Sequence, residues 1–167
     1  MKRLYLIGGS MGVGKTATCQ TLKNYLPNSV FLDGDWCWDM HPFVVTDETK
    51  RMVMGNICFL LNSFLKCSAY DNVIFCWVMH EQDIINEIID RLDLDPLNHE
   101  VHPVSLVATP AALNERLLKD VADGLRTADV IGRSLERLPL YDRLDTRKID
   151  ISHLTPREAA RAVVSRF

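Results

Sequence analysis

Several protein classes are excluded by what this chain has little of. It carries only five cysteines, Cys19, Cys37, Cys58, Cys67 and Cys76, with no CxxC pair and no metal-like spacing. The count is odd, and most sit in apolar runs such as Val73-Ile74-Phe75-Cys76-Trp77. Such cysteines read as reduced core thiols in a reducing compartment, not as a disulfide framework. Long hydrophobic runs are also missing. Only Leu4 to Ile7 follow the basic start Met1-Lys2-Arg3, which is too short for a signal-peptide core. No run approaches the roughly twenty apolar residues of a membrane span. A cytoplasmic chain without membrane association is expected. There is no basic excess either: the formal net charge is -3. That argues against a long nucleic-acid partner.

Repeats, low-complexity tracts and linkers are absent, so residues 1–167 read as a single domain long enough to bury a core without staples. What remains is short apolar runs alternating with longer amphipathic stretches, which predicts an α/β chain with a parallel sheet. Strands are expected at Leu4–Ile7, Val30–Leu32, Val73–Val78, Val101–Val107 and Lys148–Ile151. Val73–Val78 is apolar throughout, which suits a central strand buried on both faces.

Helices are expected between these strands. Thr16–Leu26 has Cys19, Leu22 and Leu26 on one face. Thr46 caps a helix through Leu65, with Asp47 and Glu48 suiting the first-turn dipole. Glu81–Leu92 buries Ile84, Ile85, Ile88 and Ile89. Thr109-Pro110 is a cap followed by proline at the first helical position. Residues 123–138 form a polar, arginine-rich helical stretch. Thr155-Pro156-Arg157-Glu158 is a capping box opening a last helix, with Ala160, Val163, Val164 and Phe167 inward.

The strongest motif is Gly9-Ser10-Met11-Gly12-Val13-Gly14-Lys15-Thr16, a full match to G-x-x-x-x-G-K-S/T. Glycines let the backbone curl so that successive N–H groups face phosphate oxygens. Lys15 supplies a mobile charge for the β and γ phosphates, and the Thr16 hydroxyl is a magnesium ligand. The helix that follows turns its positive end to the same anion. The loop sits between an apolar strand and an amphipathic helix, the context that confirms this motif. Residues 9 to 16, with Thr18 behind them, are the expected set for ATP, with Mg²⁺ as the companion ion.

The second expected strand ends in Phe31-Leu32-Asp33-Gly34-Asp35. In a parallel sheet both carboxylates fall at the carboxyl edge beside the phosphate loop, and strand alternation would put them on one side. One is expected to hold Mg²⁺, and the other to take the proton of an attacking hydroxyl. Asp35 is assigned as base and Asp33 as the metal-side acid.

The phosphate loop and Asp33-Gly34-Asp35 resemble the small P-loop kinases that include nucleoside monophosphate, shikimate and gluconate kinases. The resemblance covers nearly the whole chain. It implies a three-layer P-loop NTPase fold with a five-stranded parallel sheet of order 2-3-1-4-5 and a helical lid near residues 121–141. It also implies ATP-dependent phosphoryl transfer to a hydroxyl or phosphate of a small-molecule acceptor; a monomer and a homodimer both stay open. Leu113-Asn114-Glu115-Arg116-Leu117 is similar to the segment whose arginine stacks on adenine, which carries the base contact to Arg116. Arg126, Arg133 and Arg137 fall where lid arginines lie, and their spacing puts them roughly on one helix face; Arg133 and Arg137 are the expected catalytic pair. One departure stands out: the third strand ends Cys76-Trp77-Val78-Met79-His80, without the usual acid. Its metal partner must then come from Asp33 or Asp35.

The acceptor is expected near Trp36, Trp38, His41 and His80, just past the ends of strands two and three. Asn56, Asn62 and Ser63 interrupt the apolar helix nearby and are further candidates. Within the same class, a nucleotide or nucleoside kinase, or a kinase of a polynucleotide 5′-hydroxyl, fits these residues. A GTPase-like switch does not: N-K-x-D is absent, and Asp129-Val130-Ile131-Gly132 lies in the lid stretch instead of after strand three. A non-catalytic ATP-binding regulatory module remains the alternative from another class.

Overall fold

Residues 1–165 are described in the computed structural model of the chain. Among them, strands β1 (Lys2–Gly8), β2 (Ser29–Asp33), β3 (Asn72–Cys76), β4 (His99–Val107) and β5 (Arg147–Asp150) alternate with helices. The helices are α1 (Lys15–Tyr25), α2 (Asp47–Lys66), α3 (Gln82–Asp90), α4 (Pro110–Ala122), α5 (Asp129–Asp142) and α6 (Pro156–Val164). A 3-10 turn, Gly34–Trp38, follows β2 directly. The sheet is parallel in the order β2-β3-β1-β4-β5. This is the three-layer P-loop NTPase arrangement.

Period-two alternation builds the two faces. Tyr5, Ile7, Ile74, Cys76, Val104 and Leu106 join Cys19, Leu22, Leu113, Leu117 and Val163 in one core. Leu4, Leu6, Val73 and Phe75 join Val53, Ile57, Leu61, Ile85 and Ile88 in the other. Helices therefore cover both faces, which is why the central strands are apolar throughout. Most helix starts follow the expected chemistry. Thr109 and Thr155 cap α4 and α6, the latter as a full box with Glu158. Thr46 caps α2, with Thr49 as the reciprocal partner.

Two expectations need correction, and a third falls outside the described residues. The stretch 123–138 is not one helix: α4 stops at Ala122, Gly124 takes φ +71, and α5 begins at Asp129 and runs to Asp142. Strand β3 ends at Cys76, two residues early, and Met79 bends the chain with φ +39. Such a conformation is costly for a residue with a side chain and needs support from its surroundings. Phe167, expected inward, lies outside the described residues.

Support at that bend comes from the carbonyl of Val78. It accepts the amide of Gly9 at 3.3 Å and the hydroxyl of Tyr141 at 2.7 Å. Tyr141 is fully buried, and its phenol is pushed upward by that burial, against the lowering effect of Arg137. Helix α5 is thus anchored at its carboxyl end, while Val130 packs its amino end into the opposite core. Tyr141→Phe keeps the ring and removes the hydroxyl. It should lower stability by about 1 kcal/mol in urea unfolding without changing the denaturant slope.

Candidate active site

Gly9 to Thr16 span from the end of β1 into the first turn of α1. Gly14 is the residue before the helix and takes φ +110, so no side chain caps α1. The first-turn amides of a helix have no intrahelical acceptor. Here they open toward the loop and suit an anion. The curl is tight at Gly12, which has φ +79: a Cβ there would come within 2.3 Å of Leu117 Cδ2. Val13 is buried in the core, which pins the loop from behind, while Met11 packs partly against the same core.

Lys15 Nζ donates to the carbonyls of Gly9 at 2.9 Å and Ser10 at 3.0 Å. Burial lowers its pKa, opposed by the Cys76 thiol and by Asp35 and Asp33. The Ser10 hydroxyl is buried without a partner among the described residues. Thr18 is buried one turn into α1 and lines a small cavity with Ala17, Arg116 and Leu154.

Asp33 and Asp35 both reach this place, but not by strand alternation. The strand ends at Asp33, and Asp35 sits in the 3-10 turn. Asp33 caps that turn: its Oδ1 accepts the Asp35 amide at 3.1 Å, and its Oδ2 accepts the Thr16 hydroxyl at 2.7 Å. Asp35 is exposed at the mouth, with Oδ1 accepting from Trp77 Nε1 at 3.2 Å. Its pKa is raised, first by the partial burial of the carboxylate and then by Asp33. Lys15 and hydrogen bonds from Trp77 and Trp38 oppose the rise. A carboxyl held above its ordinary range is suited to proton transfer near neutral pH.

Arg116 is not a solvated helix arginine. Its guanidinium donates to the carbonyls of Val13 at 2.8 Å, Ile151 at 2.6 Å and Ser152 at 3.0 Å. It therefore ties the phosphate loop to the segment after β5. It also lines a cavity of about 450 Å³ with Thr109, Ala112, Glu115, Ser152 and His153.

Of the expected lid arginines, Arg126 lies outside the helix that carries Arg133 and Arg137. Arg126 precedes α5, in the turn that splits the anticipated helix, and pairs with Asp120 at 3.0 Å. Arg133 is exposed and pairs with Asp129, one helical turn earlier, at 2.6 Å. Arg137 follows Arg133 by one turn of α5, and its charge acts on His80 and Tyr141. His80 approaches Glu81 at 3.3 Å, and burial, then Arg137, pushes its imidazole toward the neutral form.

Asn56, Asn62 and Ser63 are engaged with backbone. Asn56 donates to the Cys37 carbonyl at 2.9 Å, bracing the 3-10 turn. Asn62 bonds to Arg91 and Asp93, and Ser63 to Phe59. His41 is exposed. Sequence reasoning missed Trp77 as a site residue. The only signal was its position just past the end of β3. Gly34 is linked to it: a Cβ there would meet the Trp77 ring at 2.6 Å, so the turn can pass under the indole only as glycine.

Comparison with known proteins agrees with this geometry. The AAA domain family matches residues 6–129, and the chain belongs to that family. The tunicamycin resistance protein of Deinococcus radiodurans superposes with a TM-score of 0.72 at 21% identity, covering 99% of this chain and 95% of that one. A gluconokinase of Sinorhizobium meliloti gives 0.65 at 18% identity, with 96% and 89% covered. Shikimate kinase of Aquifex aeolicus gives 0.60 at 18%, with 98% and 94% covered. No curated protein sequence matches significantly. The fold is that of the small P-loop kinases. Among the described residues no helix is long and apolar enough to cross a membrane.

Gly12→Ala tests the tight loop. The left-handed backbone and the overlap with Leu117 should together cost about 2–4 kcal/mol of stability. Binding of a fluorescent ATP analogue should weaken with it, read by titration alongside thermal unfolding.

Proposed function

We propose that the chain is an ATP-dependent phosphotransferase that moves the γ-phosphoryl group of Mg·ATP to a hydroxyl of a small-molecule acceptor. The observation that carries this reading is the convergence of three groups at one edge of the sheet: Lys15 in the loop, the Thr16–Asp33 pair, and Asp35 with its raised pKa. The loop from Gly9 to Thr16 cradles the phosphates, and Lys15 leaves the Gly9 and Ser10 carbonyls for the β and γ oxygens. The cavity beside Arg116 takes the base, with Thr18 beneath the neighbouring α phosphate.

The donor set fits magnesium. A hydroxyl and a carboxylate 2.7 Å apart beside a phosphate loop are oxygen ligands of the kind the ion takes alongside nucleotide phosphates. Thr16 and Asp33 would hold it, and it would supply charge neutralisation on the phosphates. Asp35 accepts the proton of the acceptor hydroxyl as its oxygen bonds the γ phosphorus and ADP leaves. Arg137 is the lid arginine that would meet the charge spread over the transferring phosphoryl. Arg133 serves only if it leaves Asp129. Residues 121–141 act as the lid that keeps water from competing.

A nucleotide-binding module without turnover is the second reading, favoured by the missing acid after β3. ADP release separates the two. With Mg·ATP and a panel of sugars, hydroxy acids, nucleosides and nucleotides, one class should stimulate release. Lys15→Ala should abolish that release and sharply weaken nucleotide binding. Asp35→Asn should bind ATP normally and lose about 10²–10⁴ in turnover; unchanged transfer would remove Asp35 as base.

The pH profile gives an independent check. Asp35 works ionised, so kcat/KM should fall as pH drops through a pKa above the usual carboxylate range. The Trp77 hydrogen bond favours the ionised form, so Trp77→Phe should move this acid limb to higher pH.

A further inference from the structure

The chain has three tryptophans, Trp36, Trp38 and Trp77, and all lie just past the carboxyl ends of β2 and β3. Trp77 covers Gly34 and donates to Asp35. Trp38 meets Trp77 edge-on, with ring centres 5.8 Å apart at 76°. Phe43 meets Trp38 in the same way, 5.1 Å apart at 76°. These rings continue one another from Asp35 outward. Their outer end is uncovered: Phe43 is 63% exposed, followed by Val44 at 44% and Val45 at 50%. Asn56 fixes the turn that carries the shelf by bonding the Cys37 carbonyl. An exposed apolar patch contiguous with a candidate general base is a binding surface, not an incidental feature.

The charge at the inner end of the shelf is of the wrong sign for an anion. The charged groups acting most on Asp35 are Asp33 and Lys15, and Lys15 belongs to the phosphate loop. The Cys37 thiol, in the same turn, is held up by burial and then by Asp33 and Asp35. A bound triphosphate would add more negative charge. Recognition of a carboxylate or phosphate acceptor calls for a forked arginine. Arg116 is bonded to backbone carbonyls, and Arg126 and Arg133 are paired with Asp120 and Asp129. Arg137 is the arginine assigned to the transferring phosphoryl, so it is committed to the donor side of the transfer.

We propose that the acceptor is a hydroxyl compound with a flat or apolar face and no anionic group, seated on the Trp77–Trp38–Phe43 shelf so that its hydroxyl meets Asp35. The flat face stacks on the rings, and only the hydroxyl is polar toward the base. This deepens the kinase reading and rests on it.

The test uses tryptophan fluorescence, because two of the three tryptophans, Trp38 and Trp77, form this shelf. The full chain is titrated with uridine, p-nitrophenyl β-glucoside and tunicamycin, and in parallel with uridine 5′-monophosphate, gluconate and shikimate. ADP release from Mg·ATP is followed on the same samples. At least one member of the first set should shift the fluorescence and stimulate ADP release, and the anionic set should do neither. Phe43→Ala, at an exposed position, and Trp38→Leu should each raise KM for that acceptor about three- to tenfold with ATP affinity unchanged.

Phosphorylation of an anionic member would overturn the shelf proposal and leave the kinase reading standing. A fluorescence response to the neutral set without ADP release would leave the shelf standing and remove the kinase reading. No response to either set, with ATP bound, would reject the shelf as an acceptor face. So would an unchanged KM in both variants.

Discussion

The Val78 carbonyl accepts one hydrogen bond from the amide that opens the phosphate loop and another from the Tyr141 hydroxyl in α5. Three parts of the chain, distant in sequence, are set relative to one another through this one acceptor. They are the end of β1, the strained bend at Met79, and the carboxyl end of α5. The surrounding structure makes the bend tolerable. Trp77 N still donates to the Ile7 carbonyl, continuing the β1–β3 ladder past the last regular pair. Because α5 is anchored there, the arginine one turn before Tyr141 is held near His80, while Arg133, two turns before it, is left at the surface.

Electrostatics at the loop are a balance of burial against pairing. Lys15 loses water and is held by two carbonyls, and Asp33 loses water and is held by a hydroxyl and an amide. Each buried charge is therefore hydrogen-bonded, as burial requires. Asp35 is different. Lys15 and the indole N–H groups of Trp77 and Trp38 favour its charge, but partial burial and the repulsion of neighbouring Asp33 outweigh them. That raises its proton affinity without locking the carboxylate into an ion pair, so it stays available to a substrate.

The sheet, its order and the phosphate loop were legible because short-range signals specify them: apolar runs, caps and glycines at fixed offsets. Thr109, Thr155 and Gly14 did locally what their types predict. The misreadings arose where tertiary contacts decide. Gly124 broke a stretch whose arginine spacing looked continuous, so Arg126 left the face assigned to it. Asp35 was expected on a strand because alternation was carried past Asp33. In fact the Asp33 side chain caps the next turn and ends the strand itself. Trp77 drew no assignment because its role depends on Gly34, a partner 43 residues away that no local pattern reveals.

The missing acid at the end of β3 has a structural counterpart in the register. Asp33 pairs with Cys76, and Cys76 with Ile7 of β1, so the three positions form one row across the sheet. Cys76 faces the α1 side, where Cys19 and Lys15 act on it. A carboxylate at 76 would be buried among Cys19, Ile7 and Ile74, with Lys15 as its main compensation. One strand over, Asp33 sits in the same row, and there the Thr16 hydroxyl and the Asp35 amide already satisfy it. On the proposed reading, the acid has moved laterally along the row, not been lost. The move also places it against Asp35, and the repulsion between the two carboxylates is part of what keeps the outer one basic.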